Sequence, residues 1–217
     1  MSKTCVIYHG LGSRPAISRT QLLNKAGYSV ISELFDYDAE WDLDEGKSLF
    51  ESQLEIAKDV DLIIGISFGG YLGYKLSKAT GKDLILINPA LDRAKSKSMI
   101  KEFDIPDYNL PSNIEVFFGE FDTSVPKEYA MEYLKNKGED FRYHIVKDMN
   151  HRVPDNYFKH IIFNSFLVER ETPNYKTLAE EYSEAEEMEN YIKWCWENRD
   201  KLSQFKIELE KIKNQDK

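Results

Sequence analysis

A serine set among glycines offers the first recognisable chemistry in this chain. Gly65-Ile66-Ser67-Phe68-Gly69-Gly70 follows the strand-like run Asp61-Leu62-Ile63-Ile64 and precedes a helix-like stretch beginning at Tyr71. Strand, tight turn and helix form the context in which a G-x-S-x-G pentapeptide presents a serine hydroxyl as a nucleophile. Such a turn strains the serine backbone, and the hydroxyl then projects above the sheet edge. Glycine is needed at positions 65 and 69 because a Cβ there would meet the neighbouring strand or helix. The first N–H groups of the following helix favour an oxyanion developing at the same place. The pentapeptide alone recurs by chance, so the competing reading is a plain glycine turn.

A serine hydroxyl needs a base, and the base needs an acid to orient it. Of the four histidines, His151 lies in a loop after the last strand-like run, where α/β active sites assemble. His144 falls inside a strand and His160 in the middle of a helix, while His9 ends the first strand-like run. His151 is therefore the expected base. The segment Gly119-Glu120-Phe121-Asp122 offers two acids after the preceding strand. Asp122 is preferred because it sits deeper in the loop, just before Pro126 opens a helix, and Glu120 is the competitor. The resulting chain order, Ser67, Asp122, His151, matches one of the three known orders for such triads.

The oxyanion formed during acyl transfer needs two backbone donors. The amide of Phe68, next to the nucleophile, is one. The Leu11 amide, in the loop His9-Gly10-Leu11-Gly12 after the first strand, is the expected second. His9, Gly10 and Tyr71 are expected to border the substrate. No group of cysteines and histidines has zinc-ligand spacing, and neither metal nor organic cofactor is required by this chemistry.

The elements that must position these residues are legible as periodicity. Short apolar runs recur at Thr4–Tyr8, Tyr28–Ser32, Asp61–Ile66, Asp83–Ile87, Ile114–Phe118 and Phe141–Val146. Several are apolar at consecutive positions, which suits strands buried on both faces of a parallel sheet. Helical stretches at Ser18–Ala26, Gly46–Asp59, Tyr71–Thr80, Pro126–Lys137 and Asp155–Val168 alternate with them. The alternation predicts an α/β domain of three layers, with about six mostly parallel strands and helices on both faces. It should span residues 1–170. Residues 171–217 contain no strand-like run. Leu178, Tyr182, Ile192, Leu202, Phe205, Leu209 and Ile212 recur there at helical spacing, predicting an acidic helical extension. Those stripes should bury on the core or pair two chains as a homodimer.

Composition removes several classes of function. The chain has 217 residues, 41% of them apolar, so it can fill a core and is not disordered throughout. Its net charge of −9 makes nucleic acid and anionic membrane poor partners. No apolar run approaches the roughly 20 residues of a membrane helix. Two distant cysteines, Cys5 and Cys195, do not form a disulfide framework, and the first residues lack the pattern of a signal peptide. A cytoplasmic protein acting on a small molecule is expected.

Tyr8-His9-Gly10, Gly65-Ile66-Ser67-Phe68-Gly69-Gly70-Tyr71, Ile87-Asn88-Pro89-Ala90, the Asp122 loop and Asn150-His151 together resemble the α/β-hydrolases, in particular the small YqiA-type esterases with little or no lid. The resemblance spans about residues 3–168. It implies hydrolysis of carboxylic esters, with short acyl chains, through Ser67, Asp122 and His151. Thioesters and amides use the same machinery, and a binding module would need no such triad. The polar segment Leu91–Ser112 lies where larger relatives insert a lid and is long enough only for a short helix and a loop. Arg14 and Arg152, near the site, are read either as solvated surface arginines or as contacts for an anionic substrate.

Overall fold

The computed structural model describes residues 3–37, 46–92 and 108–168. In chain order these form β1 (Lys3–Tyr8), α1 (Ile17–Lys25), β2 (Tyr28–Ile31), α2 (Lys47–Lys58), β3 (Leu62–Ile66), α3 (Phe68–Thr80), β4 (Asp83–Ile87), β5 (Ile114–Gly119), α4 (Lys127–Asn136), β6 (Phe141–Val146) and α5 (Asp155–Asn164). The helical extension expected over 171–217, its pairing into a homodimer and most of the lid-position segment lie outside the described residues.

The six strands form one sheet in the order β2-β1-β3-β4-β5-β6, with every neighbouring pair parallel. The consecutive apolar residues are explained by the two faces. Val6, Tyr8, Ile63, Leu84, Leu86, Val116 and Phe118 point into one core, where they meet α2, α3 and α4. Their chain neighbours Cys5, Ile7, Ile64, Ile85, Ile87 and Phe117 point into the other, which is closed by α1 and α5. A two-residue period thus feeds both cores at once, and the sheet becomes the middle of three layers.

Strand order fixes where a site can form. β1 lies between β2 and β3, so the connections leaving β1 and β3 depart to opposite faces and leave a crevice between the strand ends. Gly10 follows β1 and Ser67 follows β3, one on each side of that crevice.

Three local features differ from the sequence expectation. Helix α3 starts at Phe68, directly after Ser67, instead of at Tyr71. Its glycines at 69 and 70 do not break it, because they allow close packing on the sheet. Helix α5 stops at Asn164, as Ser165 turns to extended backbone (φ −67°, ψ 134°) and gives its hydroxyl to Glu115. Strand β6 lies at the sheet edge, leaving Tyr143 and Ile145 about half exposed instead of buried on both faces.

Candidate active site

Ser67 caps α3 with φ 53° and ψ −116°, a region that costs a non-glycine residue about 1–3 kcal/mol. Its surroundings hold it there. The Ser67 N–H donates to the Ile87 carbonyl at 3.0 Å, and its own carbonyl accepts from Gly70 at 3.0 Å and Ala90 at 2.9 Å. A Cβ on Gly65 would lie 2.6 Å from the Gly70 Cα, and one on Gly69 would overlap the Tyr8 and His9 carbonyls. Side chains at either position would push α3 off the sheet and release the turn.

Oγ of Ser67 is 2.9 Å from Nε2 of His151, and Nδ1 of His151 is 2.8 Å from Oδ2 of Asp122. As a carboxylate Asp122 only accepts, so Nδ1 donates to it and Nε2 is left to accept the serine proton. The other Asp122 oxygen accepts the N–H groups of Ser124 and Val125, each at 2.9 Å. The Asp122 side chain is 3% exposed and that of His151 26%, so the carboxylate is sealed while the imidazole reaches the surface.

Glu120 is exposed and points elsewhere: its Oε2 accepts from the Asp148 N–H at 3.1 Å. That bond closes the turn after β6, in which Asp148 has φ 59°. Backbone bonds from the Glu120 N–H to Val146 (3.0 Å) and from the Phe121 N–H to Met149 (2.9 Å) join the Asp122 loop to the His151 loop. Among the described residues, the non-glycine residues with positive φ are Ser67, Asn88 and Asp148, each just beyond the carboxyl end of a strand. Strain of this kind gathers where geometry is over-determined.

Leu11 lies in the loop after β1, and Phe68 opens α3 with its ring buried in the core. An ideal Cβ on Gly10 would sit 3.2 Å from the Ser67 Cβ, so this loop runs directly against the serine. Gly10, Leu11, Gly12, Ser13, Arg19, Ile66, Ser67, His151, Arg152, Val153 and Pro154 line a cleft of about 540 Å³. His9 and Tyr71, expected to border a substrate, are buried at 3% and 1% exposure and are not among the lining residues. Nδ1 of His9 donates to the Gly10 carbonyl (2.9 Å), and Nε2 accepts from the Phe35 N–H (3.0 Å). Burial pulls the His9 pKa down from its ordinary 6.5, against the smaller opposing effect of the Gly10 bond.

The remaining histidines lie apart from this constellation. Nε2 of His144 is 2.7 Å from the fully buried Glu115, with its ring stacked on Phe117. His160 is exposed on α5, beside Asn164. Among the described residues no group of three His, Cys, Asp or Glu side chains is placed to hold a metal, and no helix is long and apolar enough to cross a membrane.

No protein-family model matches the chain, and no curated protein matches it in sequence. Solved structures do match. S-formylglutathione hydrolase from Staphylococcus aureus superimposes with a TM-score of 0.58 at 18% identity, covering 78% of this chain and 83% of that one. The fluorophosphonate-binding serine hydrolase F of Staphylococcus aureus gives 0.55 at 16% identity, covering 77% and 84%. MGS-M1, an alpha/beta hydrolase enzyme from a Medee basin deep-sea metagenome library, gives 0.50 at 19% identity, covering 76% and 74%. The chain has an α/β-hydrolase fold.

Within this α/β-hydrolase fold, two residues at the site have roles the sequence reading missed. Asn88, 1% exposed with φ 45°, follows β4. Its Oδ1 accepts from the Gly119 N–H at 2.7 Å, and its Nδ2 donates to the Asn150 carbonyl at 2.9 Å and the His151 carbonyl at 3.2 Å. An asparagine directly after a strand is a signal of sorts, since it tolerates positive φ better than most residues. Arg19, on α1, reaches the cleft and donates to the Val153 carbonyl. A separation of 134 residues leaves no local signal for that contact. Arg14 is exposed and does not line the cleft.

Proposed function

We propose that this protein is a serine hydrolase that cleaves carboxylic esters of short acyl chains. The observation that carries the reading is the unbroken hydrogen-bond chain from Ser67 through His151 to Asp122. In the proposed reaction Ser67 Oγ attacks the ester carbonyl while His151 Nε2 takes its proton. Asp122 keeps Nδ1 protonated and stabilises the imidazolium that forms. The amides of Leu11 and Phe68 receive the oxyanion, helped by the N-terminus of α3. Collapse of the tetrahedral intermediate expels the alcohol, which takes the proton back from His151. Water, deprotonated by His151, then releases the acid and restores Ser67. His9 contributes by holding the Gly10 loop from behind, and Tyr71 by filling the core on which α3 rests. A cleft of about 540 Å³ suits a small ester.

One structural neighbour is described by its binding of fluorophosphonates, and Ser67 is expected to react with the same reagent class. A fluorophosphonate probe should label the wild-type protein and fail to label Ser67→Ala. That variant should lose turnover of short para-nitrophenyl esters by as much as about 10⁶ in kcat, the loss measured for a triad serine in another hydrolase. A folded Ser67→Ala protein that keeps a tenth of the activity would remove Ser67 from its proposed role.

A further inference from the structure

The chain carries 38 acidic against 29 basic residues, yet the described lining of the cleft contains two arginines and no carboxylate. Neither arginine has all of its donors taken by the described residues. The Arg19 side chain is 17% exposed, and its Nε stands 3.6 Å from Oδ1 of Asp155, whose own side chain is 60% exposed. One guanidinium N–H donates to the Val153 carbonyl, and the group lies 5.1 Å above the Phe158 ring. These contacts turn the Nε toward Asp155 and fix the guanidinium at the cleft wall, while among the described residues only one of the donors on its terminal nitrogens is taken, by the Val153 carbonyl. Arg152 directly follows the proposed base. Its backbone N–H is held by Oδ1 of Asn150 at 2.9 Å, whereas its guanidinium makes no hydrogen bond or ion pair with any described residue.

We infer that the substrate carries an anionic oxyacid group, a carboxylate in the simplest case, held by Arg19 and Arg152 while Ser67 attacks the ester carbonyl. The inference rests on the serine-hydrolase reading and narrows it to a substrate class. An arginine fork matches a carboxylate bidentately, and two cations lining one cleft would position the ester as well as bind it. The net charge of −9 on the chain would oppose approach of the same substrate, and the two arginines would offset that locally at the cleft.

Two substrate pairs test this. On the acyl side, the para-nitrophenyl hemiester of glutaric acid is compared with para-nitrophenyl valerate, its neutral counterpart. On the alcohol side, para-carboxyphenyl butyrate is compared with para-carbamoylphenyl butyrate. The wild-type protein should favour the anionic member of one pair by about tenfold or more in kcat/KM, and the pair that responds tells which half of the substrate carries the charge. The preference should shrink as salt is raised. Arg19→Gln should bring the ratio toward one. Arg152→Glu, at an exposed position that does not threaten folding, should push it below one. Hydrolysis of the neutral esters with ratios at or below one in both pairs would overturn the inference and leave the hydrolase standing. Absence of turnover together with absence of Ser67 labelling would overturn the hydrolase reading and the inference with it.

Discussion

Nδ2 of Asn88 donates to the main-chain carbonyl of His151 at 3.2 Å, so the residue that follows β4 sets the position of the proposed base. The same amide group reaches Asn150 at 2.9 Å, and Oδ1 takes the N–H of Gly119, at the start of the acid loop, at 2.7 Å. Asn88 thereby ties the strand beside Ser67 to the loops that carry Asp122 and His151. A left-handed φ of 45° at a non-glycine residue is sustained by these bonds.

Replacing Asn88 with alanine is expected to leave the Gly119 N–H buried without a partner, at about 1–3 kcal/mol. Melting temperature should fall. The folded fraction should lose kcat by up to about 10², with KM nearly unchanged, because misplacement of a reacting group by about 1 Å has effects of that order. Asn88→Asp keeps the acceptor for Gly119 but sets a carboxylate against two carbonyls, so it too should depress kcat. Full kcat in a folded Asn88→Ala protein would limit Asn88 to a structural role.

The two acids of the loop after β5 should separate cleanly in kinetics. Asp122→Asn removes the acceptor that selects the His151 tautomer, and the corresponding change in a serine protease lowers kcat by about 10⁴. Glu120→Gln retains an oxygen able to accept the Asp148 N–H, so it should cost little activity and little stability. Steady-state rates on a neutral ester, with melting temperatures for both variants, decide this. A reversed order would move the acid to Glu120.

His144→Gln should retain hydrolysis, since its ring is paired to Glu115 and stacked on Phe117 away from Ser67. Stability is expected to drop instead. Glu115 is fully buried and keeps only Ser165 Oγ (2.6 Å) and the Phe166 N–H (3.1 Å) if His144 is lost. Loss of turnover in a variant with unchanged melting temperature would contradict this assignment.

The inner strands were readable because each one feeds two cores and so is apolar at consecutive positions, as in Leu62-Ile63-Ile64. That Ser67, Asp122 and His151 would lie together was readable because a chain order and three strand ends constrain them jointly. The start of α3 was misjudged since Gly69 and Gly70 look like helix breakers, and their reason for being there is the sheet packed beneath them. Edge exposure of β6 depends on strand order, which no local pattern reports. The Asn88 bridge and the reach of Arg19 to Val153 join positions 63 and 134 residues apart, and only the folded sheet brings them together.

Stability should depend on pH through His9. Its ring is 3% exposed, stacks on Phe35 and accepts the Phe35 N–H through Nε2. Protonating Nε2 would break that bond and leave a charge among aromatic rings, so the folded-state pKa lies below the ordinary 6.5. The unfolded chain takes up this proton near its ordinary pKa while the folded chain does not. The contribution of His9 is therefore complete above about pH 6.5 and declines as pH falls below it, by no more than about 1.4 kcal/mol per pH unit. His9→Gln removes the titrating group. It should be less stable than wild type at neutral pH, from loss of ring contacts, and the gap should narrow on acidification. Urea midpoints for the two proteins between about pH 7.5 and 5.5 measure this. Parallel curves over that range would show that the His9 proton is bound equally in both states.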